Sequence, residues 1–167
     1  MNPNSVKNRY GSAVVTLPSD TEILITRQFD APAELVFKTW TTPELVKRWW
    51  GFESGVWKVC EVDLRVGGTW RWVVQEGDME VGFHGEYREI EVGHRLVTTE
   101  VFEGMPDASA LNILTLDEVD GVTTMTTLVQ HSEKAHRDGH IESGMEGGMQ
   151  VSYNRMEDVV TELAAKG

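Results

Sequence analysis

IESGMEGGMQVSYNRMEDVVTELAAK (residues 141–166) is the stretch on which the fold turns. Laid out at about 100° per residue, it places Ile141, Met145, Met149, Ser152, Met156, Val159 and Leu163 on one side. Glu142, Glu146, Gln150, Asn154, Glu157 and Asp158 fall away from that side. The pattern predicts one long amphipathic helix, and a single apolar stripe needs a surface to lie on. Gly144, Gly147 and Gly148 weaken its first half, because alanine would be favoured at each by about 1 kcal/mol. Two readings follow. Either the missing side chains leave room for a guest between the helix and its support, or the helix starts near Met149 and the glycines belong to a loop. Methionine is an adaptable gap-filler and suits a pocket and an ordinary core alike.

The rest of the chain supplies the support. Val14-Val15-Thr16-Leu17 is a short β-type run stopped by Pro18. Glu22 to Phe29 alternates, with Ile23, Ile25 and Phe29 on one side and Thr26 and Gln28 on the other, as in a half-buried strand. Asp30-Ala31-Pro32 opens a short helix whose buried side is Leu35, Val36, Thr39 and Trp40. Thr42-Pro43-Glu44 opens a second, carrying Leu45, Val46, Trp49 and Trp50 before Gly51. From Val56 to Gln130 the period is two, with strands near 56–64, 69–75, 80–90, 94–102, 109–117 and 122–130. Gly67-Gly68, Gly77-Asp78, Gly93, Gly104-Met105-Pro106-Asp107 and Asp120-Gly121 separate them as tight turns, which makes a meander. Ser132 caps a short helical piece, Glu133 to Asp138, and Gly139 breaks it before the long helix. The class is α+β: a curved antiparallel sheet of about seven strands in the order β-α-α-β6-α, covered by the C-terminal helix.

At 167 residues the chain is most simply one domain, spanning 21–166, with residues 1–20 as a partly ordered extension, loose at its start. A domain of that size buries about 70% of the surface its unfolded chain exposes, so no disulfide or metal staple is required. The lone Cys60 allows no disulfide framework and no cysteine-based zinc site. Fifteen Lys and Arg against 27 Asp and Glu give a formal charge of −12. Such a charge repels phosphate backbones and anionic membrane surfaces, which argues against nucleic-acid and membrane partners. There is no apolar leader segment and no long apolar run, so the expectation is a cytoplasmic protein, monomer or homodimer.

Four stretches carry a family resemblance: ITRQFDAPAELVFKTWTTPELVKRWWG (25–51), DLRVGGTWRW (63–72), HGEYREIEVGHRLVTTE (84–100) and SGMEGGMQVSYNRMEDVV (143–160). Together they resemble the SRPBCC (START/Bet v-like) superfamily, and more narrowly the branch named after the activator of the heat-shock-protein-90 ATPase. The resemblance implies the helix-grip fold, a curved sheet wrapped round a C-terminal helix with a cavity between them. Its relatives include lipid and hormone carriers, aromatic polyketide cyclases, ring-hydroxylase subunits and chaperone activators. In the chaperone activator proper this fold is joined to a separate N-terminal chaperone-binding domain. Only residues 1–20 precede the fold here, so that domain is expected to be missing.

The aromatic residues outline a candidate pocket. Trp70 and Trp72 share a strand face, Phe83 and Tyr87 share another, and Trp57 lies on the preceding strand. Trp40 and Trp50 come from the small helices, which in this fold close one end of the cavity. Trp40, Trp50, Trp57, Trp70, Trp72, Phe83, Phe102, Met125, Met145 and Met149 are the candidate ligand-binding residues, set against the plainer reading of a filled core. Among ionisable groups, His84 alternates with Phe83 and falls with Glu86 and Arg88 on the solvent side. Glu100 shares a face with Leu96, Thr98 and Phe102; if that face points inward, a buried carboxylate gains a raised pKa and serves as a base. If Val97, Thr99 and Val101 point inward instead, Glu100 is a surface charge. Asp63 and Arg71 are placed to pair across the Gly67-Gly68 hairpin. His136 and His140 have helical metal-binding spacing near His131, Glu133 and Asp138, but no clear third ligand accompanies them. No metal or cofactor is expected. There is no Ser-His-Asp order, phosphate-binding loop or dinucleotide fingerprint. The readings of function are a binding protein for a small hydrophobic or aromatic molecule, a cyclase- or hydrolase-type enzyme using Glu100 and then His84 in the same cavity, and a chaperone-associated interaction protein.

Overall fold

The computed structural model describes residues 9–51 and 55–166. The start of the expected N-terminal extension, residues 1–8, lies outside the described residues. Eight described strands form one antiparallel sheet: β1 (Val14–Thr16), β2 (Glu22–Phe29), β3 (Val56–Val62), β4 (Thr69–Glu76), β5 (Met79–Glu91), β6 (Arg95–Phe102), β7 (Ser109–Val119) and β8 (Val122–His131). Their spatial order is β1-β2-β8-β7-β6-β5-β4-β3. The six-strand meander is there, and β2 closes onto its last strand with Ile25 opposite Thr127 and Phe29 opposite Thr123. The expected count of seven falls short by one because Val14–Thr16 pairs with β2, so the run before Pro18 is a strand of the same sheet.

Between β2 and β3 come α1 (Ala33–Thr41) and α2 (Pro43–Trp49). Asp30 does not cap α1. Its carboxylate holds Arg9, with Nη2 at 3.0 Å, and the first free N–H of α1, from Ala33, donates instead to Glu118 Oε1 at 2.7 Å. The buried side of α1 includes Phe37 as well as Val36 and Thr39, while Leu35 and Trp40 are only partly buried. Trp49 of α2 is fully buried and its indole N–H donates to Thr39 O at 3.0 Å.

The C-terminal segment is two helices, α3 (Lys134–Glu142) and α4 (Met145–Lys166). Gly139 does not break the first, which runs on through Ile141. The break falls at Gly144, whose φ of +84° is left-handed and open to glycine at little cost. Gly147 and Gly148 lie within α4, so its start at Met145 places them in a helix rather than a loop. The buried face is also rotated from the expected stripe. Tyr153, Met156, Glu157, Val159 and Val160 are buried, whereas Met145 and Met149 are partly buried against the core.

Glu157 was expected outside and is inside for an electrostatic reason. Arg27 alternates with Ile25 and Phe29 toward the helix, and its side chain is fully buried. Its Nη2 lies 3.0 Å from Glu157 Oε1, and its guanidinium carbon sits 4.7 Å from the centre of the Phe29 ring. A desolvated cation demands an anion, and α4 turns Glu157 inward to supply it.

The N-terminal segment runs back along α4. The Arg9 N–H donates to Glu157 Oε1 at 3.0 Å, the Gly11 N–H to Asn154 Oδ1 at 2.9 Å, and Gln150 both donates to and accepts from the Ala13 backbone.

Candidate functional site

The sheet face turned toward the helices is defined by its cross-strand pairs. Trp70 stands opposite Gly85 on β5, Glu100 opposite Ala110 on β7, and Ala110 opposite His131 on β8. The next row along is Tyr87, Thr98, Asn112 and Val129. Glu100 therefore belongs to the inner face with Leu96, and Asn112 joins it there with Leu114 and Leu116.

Small residues flank Glu100 along its row. Ala110 puts only a methyl between Glu100 and His131. Gly85 is required by close approach. A Cβ there would stand 1.8 Å from Thr99 O and 2.7 Å from Trp70 Nε1, so the Trp70 indole lies over the glycine backbone.

The polar groups of this band are incompletely partnered. Asn112 Nδ2 donates to Glu100 Oε2, but Asn112 Oδ1 is buried without a hydrogen-bond partner among the described residues. The same holds for His131 Nδ1 and for the indole N–H groups of Trp70 and Trp72. His131 Nε2 lies 3.1 Å from His140 Nδ1 on α3, so one of the rings donates to the other. Burial pushes the Glu100 carboxyl above its usual range, and the Asn112 amide pulls it part of the way back. Burial, then the neighbouring His140, His136 and Arg137, push His131 down to about 4; burial also lowers His140. The Tyr153 hydroxyl is pushed up to about 12, chiefly by burial.

The aromatic candidates form a continuous train of rings. Trp49 contacts Trp40 at 4.7 Å and Trp72 at 6.2 Å; Trp72 contacts Trp70 at 5.0 Å and Trp50 at 5.4 Å. Trp50 meets Trp57 at 5.6 Å and Phe83 at 5.5 Å, and Phe83 meets Phe102 at 5.2 Å. Trp70, Trp72 and Met125 are buried, with the Trp40 indole nitrogen 3.2 Å from the Met125 sulfur. Trp40, Trp50, Trp57 and Phe83 are partly buried, and Phe102 is exposed at the far end. Trp49, buried at the junction of the train, was not among the candidates. Gly144, Gly147 and Gly148 leave the start of α4 bare: a Cβ at any of them would meet nothing within 4 Å.

Other polar groups sit elsewhere. His84 is on the outer face, its Nδ1 2.8 Å from Glu103 Oε2. Arg71 also binds Glu103, through two hydrogen bonds of 2.9 Å, and does not pair with Asp63, which holds Arg65 instead. Glu103, in the turn just after β6, offers Arg71 a longer carboxylate side chain than Asp63 does, which explains that difference. The Arg71 pair and His84 bring Glu103 down to about 2. His136 and His140 do not converge: His136 approaches Ser132 and Glu133, and His140 approaches His131. Among the described residues no group of three or more His, Cys, Asp or Glu is arranged to hold a metal ion. A separate cleft of about 220 Å³ lies against the N-terminal segment, lined by Arg9, Ser12, Val14, Thr26, Gln28 and Thr124.

Sequence reasoning missed Asn112, Tyr153 and Arg27. A signal existed for two of them. Alternation through Leu114 and Leu116 puts Asn112 on the apolar face, and alternation through Ile25 and Phe29 does the same for Arg27.

Solved structures share this architecture. One from Rhodobacter sphaeroides is 25% identical, covers 92% of this chain and 99% of its own, and superposes with a TM-score of 0.82. One from Nitrosomonas europaea is 24% identical over 89% of this chain and 99% of its own, TM-score 0.79. One from Mycobacterium smegmatis is 22% identical over 89% and 96%, TM-score 0.78. They show the fold. No curated protein matches the chain. The model of the family described as Activator of Hsp90 ATPase homolog 1-like protein matches residues 30–161, most of the length, and the chain belongs to that family.

Proposed function

We propose that this protein binds a small hydrophobic or aromatic molecule between the inner sheet face and helices α3 and α4, with the polar end of the ligand at Glu100, Asn112 and His131. One observation carries the reading. Buried polar atoms are nearly always hydrogen-bonded, yet Asn112 Oδ1, His131 Nδ1 and the Trp70 indole N–H lie buried and unpartnered on neighbouring rows of one face. A ligand or ordered water would satisfy them. The ring train and the partly buried Met145 and Met149 offer the apolar surface that such a site needs.

The test is native mass spectrometry of freshly purified protein against its denatured mass, joined to tryptophan fluorescence titrated with aromatic and lipid probes. Added mass, or saturable quenching, is expected. A clean apo mass with no response across the panel refutes the reading and leaves a filled core. The desolvated carboxyl of Glu100 favours a second reading in the same place, acid–base catalysis of cyclase or hydrolase type. Turnover of an identified ligand that survives Glu100→Gln would remove it.

A further inference from the structure

We infer that α3 is an acid-released flap, held against β8 by the contact between His131 and His140 and hinged at Gly144. The attachment of the helix carries the inference. Arg137 is the one buried residue of α3, and no side chain caps the start of the helix. What holds it is mostly polar. Arg137 Nη1 donates to Ser19 O, and His140 Nδ1 stands 3.1 Å from His131 Nε2, with the rings edge to face at 5.2 Å. Ile141 adds partly buried apolar surface. At the far end Gly144 takes a φ of +84°, and a Cβ at Gly139, Gly144, Gly147 or Gly148 would meet nothing within 4 Å. A short element so attached, beside open space, belongs to the low-stability end of a fold.

The histidine contact depends on the charge of the pair. Neutral rings place one proton between the facing nitrogens, one donating and the other accepting. A second proton there would set N–H against N–H across 3.1 Å. Even a single added charge finds no counter-ion. The carboxylates that pair with histidine are Glu103 on His84 and Glu133 on His136. On α3 itself, Asp138 is spent on Lys134 and Arg137. On β2, Glu22 accepts from Gln130. On β6, Glu100 lies across Ala110, and burial favours its neutral form. Asp20, Glu142 and Glu146 are exposed. The Arg137 cation opposes a charge on His131 outright.

Burial lowers both histidines, His131 to about 4, whereas a solvated ring titrates near 6.5. A released ring therefore takes up the proton that the docked ring refuses, and release is favoured as pH falls below about 6.5. Arg137 regains water in the same movement. Release uncovers His131, the end of the row that runs through Ala110 to Glu100, so acid opens one side of the ligand site proposed above. The flap itself does not rest on that reading.

Hydrogen–deuterium exchange of the full chain tests this, read by mass spectrometry at pH 7.5 and pH 5 and corrected for the intrinsic pH dependence of amide exchange. Residues 134–142 should lose protection by about fivefold or more at the lower pH, because a freed helix of 9 residues is too short to hold itself in water. Residues 122–129 of β8 and 153–160 of α4 should keep theirs. The double variant His131→Gln with His140→Gln keeps an amide contact and removes the titration, so its α3 should show the same protection at both pH values. His136→Gln should leave the loss in place, since His136 approaches Ser132 and Glu133 instead. Protection of α3 that holds at pH 5 overturns the inference. A loss spread evenly over β8 and α4 is global acid unfolding and overturns it too, as does a loss that the double variant retains or that His136→Gln abolishes. Bound or clean mass decides the ligand site separately.

Discussion

Replacing Glu157 with glutamine isolates the Arg27 guanidinium, a cation that the fold has placed inside. The Arg27 side chain is completely buried, and Glu157 Oε1 at 3.0 Å is its carboxylate partner. What remains after the substitution is the Gln28 carbonyl, which accepts from Arg27 Nη1, and the Phe29 ring face at 4.7 Å. Neither neutralises a guanidinium. Removing one member of a buried ion pair costs about 3–5 kcal/mol, because the survivor stays desolvated and charged. A domain of this kind has about 5–15 kcal/mol to lose. At roughly 2–4 °C per kcal/mol for a chain of this length, the melting temperature should fall by about 6–20 °C.

Urea unfolding of the parent, Glu157→Gln and the double variant Arg27→Met with Glu157→Leu separates the alternatives. The double variant should be far more stable than the single one, since packing two apolar side chains removes both desolvation costs. A loss below about 1 kcal/mol for Glu157→Gln would refute the reasoning, as would a double variant no more stable than the single one.

Gly85→Ala should destabilise the fold by about 2 kcal/mol or more, because the new Cβ meets backbone at Thr99 O rather than a movable side chain; urea unfolding measures it, and a neutral result contradicts the close approach of Trp70. His131 titrates near 4 in the fold against an ordinary value of about 6.5. The unfolded chain therefore takes up a proton that the fold refuses, so stability present above pH 6.5 is lost as pH falls toward 4. His131→Gln should flatten that part of a stability–pH curve, with His140, His136 and Arg137 retained; an unchanged slope would assign the acid sensitivity to other groups.

The element order was legible because period two, turn residues and two proline-led helix starts agree along the chain. The strand β6 was not, and the reason is physical. Leu96 and Val97 point to opposite faces and are both buried, so alternation alone carries no sign there. The register of β6 on β7 supplies it, and that register depends on residues far along the chain. The buried stripe of α4 was misplaced for a related reason. A helical wheel weighs hydrophobicity, and Glu157 is inside on account of Arg27, a partner on another element. His131 illustrates a third limit: sequence distance groups it with His136 and His140, whereas β8 and α3 bring only His131 and His140 together. The unpartnered atoms of Asn112, His131 and Trp70 belong to three separate strands, and no local pattern could assemble them.

The strap formed by Arg9 to Ala13 also sets an order of events. Its contacts join residues 137 to 148 positions apart, so they wait on nearly the whole chain. Closing so long a loop costs entropy that grows only as the logarithm of its length, but contacts of this range slow folding. A ribosome delivers the strap well before its receiving helix. Until α4 is made, the backbone groups at Arg9, Gly11 and Ala13 have only water, and the Arg27 cation has no Glu157. The nascent meander is thus held with an uncompensated charge on its inner face. That discourages premature collapse onto that face until α4 supplies Glu157.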